Sequence, residues 1–389
     1  MRDLNPATQR LGTENAFTVL ARAGQIAAQG HDVVNLGIGQ PDFRTPPHIV
    51  EAGIKALQDG AHGYTPSLGM PSLREALADD LQARYGARPD TDRIQITPGG
   101  KPIIFISAML LGGPHNEILV PDPGFPIYQS AINYSGATAV PYGLVEENGF
   151  AFDADDVLSK ITERTSLIII NSPANPTGGA TPKSEMDKFV KGLAAFPHVT
   201  ILSDEIYDRF VFDTAPLSLL SYPDIADRLI ILNGWSKTYA MTGWRIGYGI
   251  WPKRLIEAAD RIGVNYHSCV NAPTQFAALA AITGPQDCVS EMCDAFARRA
   301  KLITNLLNQI DGISCVMPRG AFYAFANVSA LGIAADTLQN TLLETHHVAT
   351  ISGTSFGAFG EGYLRLSSAN SDAAIEQACS RLKEMVDGL

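Results

Sequence analysis

Residues 233–250, NGWSKTYAMTGWRIGYGI, carry an amine and a guanidinium eight positions apart. Lys237 lies in a turn of small residues after the apolar run 229–232, and Arg245 stands just before a second apolar segment. A lysine so placed is partly desolvated, which lowers its pKa and leaves a neutral amine able to attack a carbonyl. An arginine close by grips a phosphate through paired N–H donors. Imine-forming amine and phosphate anchor together suggest pyridoxal phosphate.

Other segments hold groups suited to the same task. Pro98-Gly99-Gly100-Lys101 turns a strand into a helix, and backbone N–H groups at such a start, with the helix dipole, make an anion site. Ser203-Asp204-Glu205-Ile206-Tyr207 puts an acid and a phenol at a strand end, Asn171 to Gly178 is a turn sequence, and alternation around Leu364-Arg365-Leu366 suggests a strand carrying a cation. Each has an ordinary reading when taken alone: a solvated acid, a punctuating turn, an edge-strand arginine.

Together and in this order they resemble the class I aminotransferases, the fold-type I pyridoxal phosphate enzymes related to aspartate aminotransferase. The resemblance runs from Gly39-Gln40-Pro41-Asp42-Phe43 through the N-S-P-x-N-P-T-G of 171–178, the D-E-x-Y of 204–207 and S-K followed by M-T-G-W-R-I-G-Y, to the R-L-S of 365–367. It implies that Lys237 carries the Schiff base with Ser236 beside it, and that Arg245 and the backbone of Gly99, Gly100 and Lys101 hold the phosphate. It further implies that Phe125 stacks on the pyridine, where Trp or Tyr is usual, and that Asn175 and Tyr207 face the phenolic oxygen. Asp204 would face the ring nitrogen. A carboxylate about 4 Å from a pyridinium is worth roughly 4 kcal/mol at an effective dielectric of about 20, enough to keep that nitrogen protonated.

For the substrate, the resemblance implies that Arg365 forks onto the α-carboxylate, with Gly39, Phe125 and Asn175 alongside. Lys101 resembles the lysine that contacts a distal carboxylate in a bacterial subgroup, although Gly12-Thr13-Glu14-Asn15-Ala16 lacks that subgroup's Lys-Pro-Ser pattern. Aspartate with 2-oxoglutarate is the leading pair for an amino acid:2-oxo acid aminotransferase. A lyase, or an alanine or aromatic aminotransferase, is the alternative. A cofactor-sensing regulator would need a fused basic DNA-binding module, and none is expected outside 39–365. Tyr64, in a Y-x-x-x-x-G-x-x-x-L-R stretch, is expected to reach the phosphate of a neighbouring subunit, which makes the unit a homodimer.

The elements that must position these residues read as an α/β fold. Strands are expected at 94–97, 117–120, 167–171, 199–203 and 229–233, with helices at 17–28 and 47–58 ahead of them and at 102–111, 126–134 and 183–195 between them. Such alternation predicts a three-layer, mostly parallel sheet whose ligands gather beyond the C-terminal strand ends. Residues 46–285 are expected to form the large domain, 286–389 a smaller α+β domain, and 1–45 an N-terminal arm completing it.

The 389 residues, 46% hydrophobic, can bury a large core. A net charge of −11 disfavours nucleic acid and anionic membranes, which reward basic surfaces. No apolar run is long enough to span a membrane and the start is too polar for a signal peptide, so a cytoplasmic protein is expected. Five cysteines without paired Cys-x-x-Cys spacing indicate neither a disulfide framework nor a metal site.

Overall fold

The structure is a computed structural model that describes residues 4–389; residues 1–3 of the polar start lie outside the described residues. In chain order the strands are β1 (Val34–Asn35), β2 (Ile94–Thr97), β3 (Glu117–Asp122), β4 (Thr138–Gly143), β5 (Thr165–Asn171), β6 (Thr200–Asp204) and β7 (Leu229–Gly234). They continue with β8 (Gly247–Ile250), β9 (Ser314–Cys315), β10 (Tyr323–Asn327), β11 (Val348–Ala349), β12 (Ile351–Ser352) and β13 (Tyr363–Ser367).

Seven of them form the main sheet in the order β2-β8-β7-β6-β5-β3-β4, and only β8 runs antiparallel to its neighbours. β3, β6 and β7 are buried along their whole length because helices cover both faces, which is why they read as unbroken apolar runs. Edge strand β4 is exposed or half-exposed except at Tyr142. β4 and β8 escape a pattern reading: the first is short of buried positions, and glycine fills two of the four places in the second.

Proline in the first turn starts the helices Pro47–Gln58, Pro71–Tyr85 and Pro126–Ser135, where its missing N–H has no partner to lose. Left-handed Gly86 and Gly136 stop the last two. The expected boundaries agree with these elements to within a few residues, and the helix at 101–111 starts one residue early, at Lys101 itself.

The second sheet, β12-β13-β10-β9, is antiparallel throughout. Arg365 therefore sits on an interior strand, paired with Phe325 on one side and Ile351 on the other. β1 pairs in parallel with β11, so the N-terminal segment is stitched to the C-terminal part of the chain. Among the described residues no helix is long and apolar enough to cross a membrane.

Candidate active site

β5 ends at Asn171, β6 at Asp204 and β7 at Gly234, so three parallel strands deliver their last residues to one edge of the sheet. Beyond that edge lies a cavity of about 480 Å³. Lys237, Asp204, Asn175, Tyr207, Arg245 and Arg365 all line it, as do Gly39, Gly100, Lys101, Phe125 and Ser236. The sequence scatters these groups over 327 positions, from 39 to 365.

Lys237 lies in the short helix Trp235–Thr238 that follows β7. Part of its side chain is exposed, but to the cavity rather than the outer surface, and Nζ donates to the carbonyl of Gly39 at 2.6 Å. Desolvation, reinforced by the positive charges of Arg365 and Arg245, pulls the amine down to about 8. A useful fraction is then neutral near physiological pH. Glycine at 39 leaves room for Tyr323, since a Cβ there would lie 2.2 Å from the Tyr323 hydroxyl and force that ring to move.

Asp204 is 4% exposed and is held from two sides. Tyr128 donates its hydroxyl to Oδ2 at 2.6 Å, and the N–H of Ile206 donates to Oδ1 at 3.2 Å. Burial nevertheless pushes the carboxyl up to about 6, because these two bonds only partly replace water. A cationic partner in the cavity would restore its ionised form. Tyr207 is buried, and its hydroxyl shares a 2.7 Å hydrogen bond with that of Tyr323.

Arg365 is 3% exposed. Its guanidinium lies between the rings of Tyr323 and Phe356, 4.8 Å from each centroid. Nη1 donates to Oδ1 of Asn175 at 3.0 Å, and Nη2 donates to the carbonyl of Gly37. Nε is buried without a partner. Asn175 is fixed in turn by a 2.9 Å bond from its N–H to Oδ1 of Asn171. With its carbonyl on Arg365, the amide nitrogen of Asn175 has no acceptor among the described residues.

At the 98–101 turn the expected backbone cradle narrows. The N–H of Gly99 already donates to the Thr97 carbonyl at 2.8 Å, and Gly99 does not line the cavity. Gly100 and Lys101 keep N–H groups without acceptors at the head of the 101–111 helix. Gly99 acts by shape: its φ is +87°, and a Cβ would stand 2.2 Å from Nη2 of Arg245. Arg245 passes over it, donating Nη1 to the Thr242 carbonyl at 2.7 Å. Phe125 presents its ring to the cavity and packs edge-on to Tyr128, with centroids 5.6 Å apart. Tyr64 is not brought to this cavity; it is 93% exposed on the single chain.

Sequence reasoning missed Tyr128, Tyr323, Asn171 and Phe356. Tyr128 was hidden in a crossover helix and Tyr323 in an apolar strand, where an aromatic reads as core. The only usable signal was that Tyr128 falls in the first turn of the helix that follows β3.

The family model for aminotransferase class I and II matches residues 31–382. An aspartate aminotransferase of Rhizobium meliloti is 34% identical over 97% of this chain and 95% of its own. The structure of an aspartate aminotransferase from Thermus thermophilus with maleate superposes with a TM-score of 0.93 at 32% identity, covering 99% of this chain and all of the other. An alanine aminotransferase from Pyrococcus furiosus does so with a TM-score of 0.93 at 31% identity over the full length of both. Matched along nearly its whole length, the chain belongs to the class I and II aminotransferase family.

Proposed function

We propose that the protein moves an amino group from an L-amino acid to a 2-oxo acid with pyridoxal phosphate held in the cavity described above. The observation that carries this reading is the one cavity shared by a desolvated lysine near pKa 8, a buried carboxylate and a buried arginine. The residues fit the group: Asp204 for the ring nitrogen, Asn175 and Tyr207 for the phenolic oxygen, Phe125 for the ring face. Arg245, Ser236 and the N–H groups of Gly100 and Lys101 would take the phosphate, with Gly99 beneath them.

When bound, pyridoxal phosphate supplies the electron sink for the pair left on Cα. The chain supplies the rest. Arg365, steadied by Asn175, takes the α-carboxylate beside Gly39 and so turns the Cα–H toward Lys237. Nζ of Lys237 accepts that proton and holds it for return, a task suited to a base poised near neutrality. A retained carboxylate argues against decarboxylation.

Aspartate with 2-oxoglutarate leads as the substrate pair, supported by the names of the relatives and by a lysine at position 101. The exposed Tyr64 and the outward position of Arg245 support a homodimer in which Tyr64 reaches the partner's phosphate site. A cytoplasmic location belongs to the same proposal. So does a smaller domain of residues 286–389 completed by the N-terminal arm, supported by a separate core joining Leu36 to Ile303, Leu338 and Leu382.

Borohydride reduction followed by peptide mapping tests the site, and a single turnover tests the reaction. A label on Lys237, with stoichiometric oxo acid and aminated cofactor, is expected. Release of ammonia or carbon dioxide without aminated cofactor would favour a lyase or decarboxylase instead.

A further inference from the structure

The side-chain end of the cavity contains a carboxylate that the expected substrate recognition does not use. Glu14 immediately precedes the helix Asn15–Ala28, and its side chain makes no bond to the N–H groups of the first turn. It turns instead onto Lys101 and forms an ion pair with the ammonium. The Glu14 side chain is 14% exposed. Its segment is pinned by Asn15, whose amide donates to Oε1 of Gln339 at 3.1 Å and to Oγ of Ser355 at 2.9 Å. The Lys101 ammonium also lies 5.6 Å from the ring centroid of Phe17 and 5.7 Å from that of Phe125.

Of the four cations lining the cavity, Lys237, Arg245 and Arg365 have tasks common to every substrate. Lys101 alone is left to read the substrate side chain, and Glu14 cancels its charge. A distal carboxylate must compete with Glu14 for that ammonium and approach a like charge. An uncharged side chain meets a lysine already paired and flanked by two aromatic faces.

Resting on the aminotransferase reading, we propose that Glu14 is a specificity-determining residue. It acts as a built-in competitor for the distal carboxylate, widening the donor range to amino acids with uncharged, especially aromatic, side chains and weakening dicarboxylic substrates. The site then serves a neutral donor with Glu14 on Lys101 and a dicarboxylic acceptor once Glu14 is displaced.

The test uses holoenzyme of wild type, Glu14→Gln, Glu14→Asp and Lys101→Gln. For each, kcat/KM is measured with aspartate and with phenylalanine, and the dissociation constants of succinate and 3-phenylpropanoate are obtained by calorimetry. Glu14→Gln is expected to raise the aspartate/phenylalanine and succinate/3-phenylpropanoate ratios about two- to fivefold. Glu14→Asp should stay near wild type, and Lys101→Gln should lower both ratios. Parallel changes for both classes of ligand, or ratios that do not move, would overturn the proposal. If wild type transaminates no donor, the aminotransferase reading fails, while the succinate/3-phenylpropanoate binding ratio still decides the role of Glu14.

Discussion

Arg365 on β13 and Asn175 on the turn after β5 are 190 positions apart in the chain, yet Nη1 of the first donates to Oδ1 of the second at 3.0 Å. The bond joins the two sheets across the cavity. It orients the guanidinium and at the same time turns the amide nitrogen of Asn175 toward other work. A side chain expected to bind substrate thus positions one expected to bind cofactor.

Lysine keeps the charge of Arg365 but not its planar set of donors, so Arg365→Lys cannot serve Asn175, Gly37 and a carboxylate together. Loss of about 1.5–3 kcal/mol is expected, or about 10- to 150-fold in kcat/KM. The loss should be similar for every amino acid donor, because all share the α-carboxylate. Steady-state kinetics on an acidic and an aromatic donor check this, and a selective loss would contradict it.

Tyr128→Phe removes the hydroxyl that stabilises ionised Asp204. The Asp204 carboxyl, near 6 with that bond, should rise further without it. Cofactor affinity that depends on charged Asp204 is present above that pKa and lost as pH falls through it. In the variant the loss should begin at higher pH, with binding weakened about 5- to 15-fold near neutrality. Fluorescence titration of cofactor binding against pH reads both effects; an unchanged profile would remove Tyr128 from the site.

The folded-state pKa of Lys237, about 8, lies below the 10.5 of the free side chain. Below about pH 8 the folded, cofactor-free protein carries a desolvated ammonium. Between those two values the unfolded chain retains a proton that the folded chain has lost, so stability rises with pH. Lys237→Met should therefore stabilise the cofactor-free protein at pH 7 by on the order of 3 kcal/mol, and the advantage should shrink as pH approaches 10.5. Denaturant melts at several pH values check the sign, which is opposite to that expected for a lysine in a stabilising ion pair.

Gly99→Ala meets two obstacles at once, a φ of +87° and a Cβ 2.2 Å from Arg245 Nη2. A cost of about 1–3 kcal/mol in stability is expected from the backbone. Displacement of Arg245 should weaken cofactor binding as well. Thermal melts with and without pyridoxal phosphate separate the two effects: a larger deficit with cofactor present is the expected result.

Tyr64→Ala should leave the melting of the cofactor-free chain nearly unchanged, since a side chain 93% exposed has little packing to lose. Cofactor affinity should nonetheless fall about tenfold if the tyrosine reaches the partner's phosphate site. Equilibrium dialysis with sedimentation analysis checks both; unaltered affinity in a dimer would place Tyr64 outside the site.

The sequence by itself determined the strands and helices that carry a strong local signal: the apolar runs of β3, β5, β6 and β7, the proline-started helices, and the turns that carry Asn175 and Gly100, whereas Lys237, expected in a turn, stands in the short helix after β7. Those features depend on near neighbours in the chain, so periodicity, proline and glycine reveal them. Only the tertiary structure decided that β8 runs antiparallel, that Arg365 is interior, that Tyr128 holds Asp204 and that Glu14 answers Lys101. Each of these pairs residues far apart in the chain, and no local rule distinguishes a tyrosine that fills a core from one whose hydroxyl meets a buried acid. Burial then did the chemistry that residue type leaves open, lowering one amine and raising one carboxyl by removing water from both.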